Sequence, residues 1–398
     1  MEQRTHDETE RDREASALAR LLNKRVVTIG GGTGPYAVLS SLKRYPCAIT
    51  AVVSMADSGG SSRRLMDEFG QLPLGDLRQA LVALSRKGAL WRDVFTFRFR
   101  RGKPLRPGQE GAERGQEVEG DPSVSGAQRA AQQAGVGGHS LGNLIIAALQ
   151  DINDGNLLRA IEDAQELLDT AGKVLPVTLE HTTLCAELQD GATICGETEI
   201  DTRGLRQLGG QGGPLAPITR VFLQQETPAC EEALRAIRRA DVLVIGPGDL
   251  YTSILPNLLV EGVAEAVRQS EAQKIYICNL MTKHGETDGY RAADFVRQVH
   301  AYLGGRVDRV IAHDGSFPEE LVDRYAAQEQ HPVVLDEDAV RQLVPDVIVD
   351  KLLAIHQDHL VRHDADRLVR AIFAPLSFQA LRQGVAVASG SGAGARGS

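Results

Sequence analysis

The stretch Val26-Val27-Thr28-Ile29-Gly30-Gly31-Gly32-Thr33-Gly34 decides the fold. Four β-branched residues in a row favour an extended strand, and the glycines that follow end it abruptly. A helix-compatible run comes next, and then a second apolar segment, Ile49 to Val53, which ends in Asp57-Ser58-Gly59-Gly60-Ser61-Ser62. Two small-residue, hydroxyl-bearing loops therefore follow two adjacent strands. In an open parallel sheet the strand C-termini share one edge, and ligands bind there. Bare glycine backbone lets N–H groups approach an anion, and a following helix N-terminus adds positive potential. The expectation is a phosphate-bearing ligand of the nucleotide class.

The rest of the chain repeats this rhythm. Short β-branched runs at 174–179, 242–245, 274–278, 309–312 and 333–335 alternate with helical patterns at about 253–268, 288–302 and 318–327, the signature of a parallel α/β sheet. Residues 182–223 instead alternate in short segments punctuated by glycine, which predicts a β-hairpin and loop grafted on the α/β core. Residues 1–24 read as a disordered or helical charged tail and 25–378 as one α/β nucleotide-binding domain. A flexible insertion is expected at about 101–138 and a disordered tail at 379–398.

Composition narrows the function. The 398 residues carry 44 basic and 53 acidic side chains, a formal charge of −9, which disfavours nonspecific binding to nucleic acid. No stretch is apolar for the roughly 18 residues a membrane helix needs, and the N-terminus lacks a secretory pattern, so a cytoplasmic location is expected. The five cysteines (Cys47, Cys185, Cys195, Cys230 and Cys278) form no C-x-x-C pair and are expected to be reduced and structural.

Further loops carry the chemistry. Gly30, Gly32 and Gly34 do not complete a dinucleotide fingerprint, because Pro35 stands where its third glycine would be, and no Walker lysine follows. Asp57, with Ser58, Gly59, Gly60 and Ser61, could orient a ribose hydroxyl, hold a metal or act as a base; an ordinary turn or cap is the bland alternative. Asp76 is expected as the N-cap of a helix that has Arg78 in its first turn. His139 and Asn143 open another helix, through Gly138-His139-Ser140-Leu141-Gly142-Asn143. Gly246-Pro247-Gly248-Asp249-Leu250-Tyr251-Thr252-Ser253 repeats the strand, glycine loop and helix logic, with Thr252 and Ser253 as phosphate-suited hydroxyls and Tyr251 free to stack or pack. Asn279 and Thr282 belong to a last polar loop, in which Glu286, Thr287 and Asp288 suit either a ligand or the cap of the next helix.

Assembled, these motifs resemble the bacterial gluconeogenesis factor family, uridine-diphospho-sugar-binding relatives of 2-phospho-L-lactate transferase. The resemblance runs over residues 26 to about 372 and rests on six motifs in order. They are Ile29–Gly34, Ala56–Ser62, Pro73–Arg78, Gly138–Asn143, Ile245–Ser253 and Met281–Asp288. It implies a Rossmann-like three-layer fold, a UDP-N-acetylglucosamine-like ligand, and a role in growth and cell shape on gluconeogenic carbon sources. It adds Tyr325 and Arg362 as ligand contacts, an arginine fork being suited to a diphosphate. Asp249 stands where the family usually has serine, which adds a negative charge beside the expected phosphate. The transferase branch has paired carboxylates at the second loop, and here Asp57 is single, so a non-catalytic regulator is favoured. The alternative is a 2-phospho-L-lactate transferase-like enzyme acting on a deazaflavin acceptor. No resident cofactor is required, with magnesium an optional companion ion. The expected partners are the nucleotide sugar and a protein of envelope or carbon regulation, with self-association into a homodimer left open.

Overall fold

A computed structural model of the chain describes residues 23–56, 72–99, 138–210, 215–355 and 361–375. Strand β1 (Arg25–Gly30) lies in the interior of a seven-stranded sheet, third from one edge. On one side it pairs with β2 (Ala48–Val53), which pairs with β3 (Gly172–Pro176). After two short strands, β4 (Leu184–Leu188) and β5 (Thr193–Cys195), and then β6 (Ile218–Leu223), the chain returns to the other side of β1. It continues there through β7 (Val242–Ile245), β8 (Gln273–Ile277), β9 (Arg309–His313) and β10 (Asp346–Asp350). All six pairings are parallel. The order β3-β2-β1-β7-β8-β9-β10 is that of a doubly wound sheet whose direction of winding reverses between β1 and β7.

This topology accounts for the apolar runs. A sheet covered by helices on both faces buries both sides of its strands, so β7 and β9 are buried at every position and β1 at all but the first. Outside the main sheet, β4, β5 and β6 form a three-stranded antiparallel sheet containing the expected hairpin, and β11 (Leu353–Ile355) pairs antiparallel with β12 (Val361–His363).

Several expectations need correction. Val333–Leu335 is not a strand of the sheet: the stretch makes only isolated bridges, at Val334 and at the neighbouring Pro332, and proline has no N–H for a ladder. The edge strand is β10, whose acidic flanks conceal it. Its Asp346 is buried against Arg309, Nε to Oδ2 2.6 Å, and the guanidinium also donates to the carbonyls of Ala371, Ile372, Ala374 and Pro375 at 2.8–3.1 Å. The helical run after β7 divides into a π-turn (Leu250–Ile254) and helices Leu255–Leu259 and Val263–Gln269, with Gly262 at φ 88° between the last two. The next helix starts at Ala292, capped by Arg291 and Asp294, whereas Asp288 turns back to accept from Gly285 N at 2.7 Å. Asp76 is inside the first turn of the helix Gly75–Leu84, with Leu74 at the N-cap position. Finally, Cys185 and Cys195, opposed in register on β4 and β5, are joined as a disulfide rather than reduced.

The two central strands end level, Ile29 facing Ile245, so their loops leave the sheet side by side. A Cβ on Gly34 would lie 2.5 Å from the Pro247 carbonyl carbon and 2.8 Å from Gly248 Cα, both backbone atoms that have nowhere to retreat. Gly34→Ala is therefore expected to destabilise the protein by about 1–3 kcal/mol. Gly88→Ala, at a helix N-cap with open space around it and a negative φ, should cost less than about 1 kcal/mol, the lost N-cap preference for glycine being partly offset by the lower entropy of the unfolded chain. Denaturant midpoints of the two variants check this; equal midpoints would refute the close approach.

Candidate functional site

The crevice at the winding reversal is a cavity of about 290 Å³. Its floor is the backbone of Gly31, Gly32, Thr33 and Gly34 after β1 and of Pro247 and Gly248 after β7. Ser253 enters from the π-turn, and Asn279 to Lys283 follow β8. Tyr325 of the helix Glu319–Ala326, together with Arg362 and His363 of β12, closes the far side. Parallel strands thus deliver three loops to one edge, and the β11–β12 hairpin brings a cation across to them.

Each wall is held by specific bonds. Asn279 donates from Nδ2 to Gly248 O at 2.8 Å and accepts from the Tyr276 hydroxyl at 3.2 Å, so the loops after β7 and β8 move together. The Thr282 hydroxyl accepts from His331 N at 2.9 Å. The Tyr325 hydroxyl accepts from Val361 N at 2.9 Å, which fixes the strand bearing Arg362. The only hydrogen bond of the Arg362 guanidinium among the described residues goes to the carbonyl of Val361, at 3.0 Å. His363 donates from Nε2 to Cys278 O at 3.1 Å, and desolvation lowers its pKa to about 4, so it is neutral at physiological pH. Arg362 is accordingly the cavity's uncompensated cation among the described residues that line it.

Lys283 is the opposite case. Its ammonium binds Asp201 and is 2.6 Å from Asp249 Oδ2 and 3.1 Å from Glu286 Oε1. Burial alone would lower the lysine pKa, but the three carboxylates outweigh it and hold the group charged. The extra carboxylate of Asp249 is therefore ion-paired, although the single ammonium is shared with Asp201 and the group keeps a net negative charge. Glu286 is buried, and neither of its oxygens makes a geometrically sound hydrogen bond. Desolvation first, then Asp249 and Asp201, push its pKa up to about 8 against the pull of Lys283.

Of the residues singled out in the sequence, the cavity brings together Gly31, Gly32, Thr33, Gly34, Gly248, Asn279, Thr282, Tyr325 and Arg362. Asp76 lies directly behind Gly31 in a narrow crevice with Gln79. Gly246, at φ 80°, shapes the turn without lining the cavity. Tyr251 is fully buried, its hydroxyl 2.6 Å from that of Tyr290, so it packs rather than stacks on a ligand. Thr252 is buried beside it. His139 and Asn143 are buried away from the cavity, where Asn143 Oδ1 accepts from Arg78 Nε at 2.9 Å. Asp57, Ser58, Gly59, Gly60 and Ser61 lie outside the described residues. Sequence reasoning missed Gln330 and His363, and it missed the network centred on Lys283, because its member Asp201 is 82 positions away.

Glu286 carries a testable consequence. Its pKa is raised in the fold above the ordinary 4.5, so the native state keeps a proton that the unfolded chain releases. Its contribution to stability is complete below about 4.5 and is lost as pH rises through about 8. In Glu286→Gln that loss disappears, so the variant should gain thermal stability relative to wild type steadily across this window. Melting temperatures of both proteins in a pH series check it; a constant difference would refute the protonated carboxyl.

The same architecture occurs in known proteins. The family model for 2-phospho-L-lactate transferase CofD matches residues 26–353. A gluconeogenesis factor of Halalkalibacterium halodurans is 39% identical over 351 residues, covering 88% of this chain and 95% of that protein. The gluconeogenesis factor of Bacillus subtilis is 36% identical over 346 residues, covering 86% and 95%. A crystal structure from Bacillus halodurans, described as a member of the UPF0052 family, superposes with a TM-score of 0.74 at 38% identity, covering 88% of this chain and 100% of that one. With a sheet that reverses at β1 and β7, a cavity at that reversal and relatives matched over most of their length, the chain belongs to the CofD family and, within it, to the gluconeogenesis factors.

Proposed function

We propose that this protein binds a nucleotide sugar, with UDP-N-acetylglucosamine as the favoured ligand, and that ligand occupancy regulates growth and cell morphogenesis on gluconeogenic carbon sources through a protein partner. The observation that carries the reading is Arg362. A guanidinium with no carboxylate partner among the described residues faces a floor of bare glycine backbone, an arrangement that suits a diphosphate. Tyr325 is fixed beside it through Val361 N and presents a ring to a base. Lys283 is unavailable for this task, because moving to a ligand would leave Asp201 and Asp249 without their counter-charge beside the buried Glu286.

The matching family model is that of a 2-phospho-L-lactate transferase, which supports a second reading, a transferase, for which we propose a deazaflavin acceptor with magnesium. Among the described residues no cluster of three His, Cys, Asp or Glu side chains could hold a metal ion. Asp76 places a carboxylate oxygen directly against Gly31. Mass spectrometry of incubations with a deazaflavin acceptor and magnesium separates the two readings, since product formation establishes the enzyme.

Isothermal titration with UDP-N-acetylglucosamine tests the binding reading. Wild type should bind saturably without added metal, and Arg362→Ala should weaken affinity at least about tenfold through loss of a charge-assisted contact. Absence of heat and of any thermal shift at millimolar ligand would overturn it.

A further inference from the structure

A second cavity, of about 540 Å³, lies between the helix Gly34–Leu42 and the start of the helix Ala365–Ile372. It shares Thr33, Ala37, Arg362 and His363 with the cavity over the glycine floor, so the two form one trench with Arg362 at the junction. The charged groups of its outer wall are already engaged. Asp364 caps its helix, accepting from the backbone N–H groups of Asp366 and Arg367 at 3.0 and 2.9 Å. Asp366 is paired with Arg44 and accepts from the Ser41 hydroxyl at 2.9 Å. The Tyr36 hydroxyl and the Gln79 amide, by contrast, make no hydrogen bond within the described residues. Both are neutral groups that donate and accept, and Tyr36 is 36% exposed.

This division of chemistry selects an occupant. A second anion would meet Asp364 and Asp366 with no free cation except the shared Arg362. An uncharged, hydroxyl-rich group joined to an anion at Arg362 would instead satisfy Gln79 and Tyr36 and lay its apolar face on Tyr36, Ala37 and Ala365. We propose that this second cavity is the subsite for the uncharged glycosyl part of a diphosphate-linked ligand, with Gln79 and Tyr36 as the residues that determine which sugar is accepted. The proposal rests on the nucleotide-sugar reading above, and it places the nucleoside on the Tyr325 side of Arg362.

Titrations with UDP, UDP-glucose and UDP-N-acetylglucosamine test it. Wild type should bind the sugar nucleotides more tightly than UDP. Gln79→Ala and Tyr36→Ala should each weaken the sugar nucleotides about five- to tenfold, the worth of about one hydrogen bond or ring contact, while leaving UDP affinity unchanged. Unchanged UDP affinity also certifies that each variant is folded, and Tyr36→Phe, which retains the ring, should recover part of the loss. Equal losses for UDP and the sugar nucleotides, or no loss for either, would overturn the subsite and leave the nucleotide reading intact. Failure of wild type to bind any of the three would overturn both.

Discussion

Everything at this site depends on two backbone loops passing within van der Waals distance of each other. Where β1 and β7 part, the Gly34 backbone passes against the Pro247 carbonyl, and no side chain fits between them. That contact allows adjacent parallel strands to end level and open a cavity floored by peptide groups. A peptide floor is rigid and carries N–H dipoles, but it has no net charge. Charge must therefore be brought in from elsewhere, and the structure brings it across the sheet from β8 and β12.

The two cations arrive under different terms. Lys283 is anchored among Asp201, Asp249 and Glu286, so it serves the protein's own carboxylates. Arg362 is held through its hairpin partner Ala354 and through Val361 and Tyr325, and among the described residues its guanidinium has no carboxylate partner. One cation fixes the shape of the cavity wall, and the other stands in the cavity without a carboxylate partner among the described residues. The ion pair with Lys283 also explains how Asp249 is tolerated beside a glycine loop.

Which parts could be read from sequence follows from the range of each interaction. The glycine loops after β1 and β7 are local, since apolar strands that end in glycine show their role within ten residues. Edge strand β10 was hidden because Asp346 is made compatible with burial only by Arg309, 37 positions away. Tyr251 had the composition of a ligand contact, yet the π-turn after β7 rotates it into the core against Tyr290. The cysteine pair was misread because parity and spacing are silent about register, and a hairpin sets Cys185 directly opposite Cys195. Tyr325 lies near the end of a helix and Arg362 on a short hairpin strand, away from the glycine loops that mark the site, so only the resemblance points to them.

The Arg309 guanidinium reaches beyond Asp346 to four carbonyls at the end of the helix Ala365–Ile372. The opposite end of that helix begins three residues after Arg362 and is tied to Arg44 through Asp366. A segment remote from the glycine loops in sequence is thus clamped at both ends, to the sheet at one and to the first helix at the other. Trimming the chain before Pro375 would strip acceptors from a buried cation and loosen the support of the trench at the same time. For anyone shortening this protein, the safe boundary lies beyond the last carbonyl that Arg309 holds, well past the end of the sheet itself.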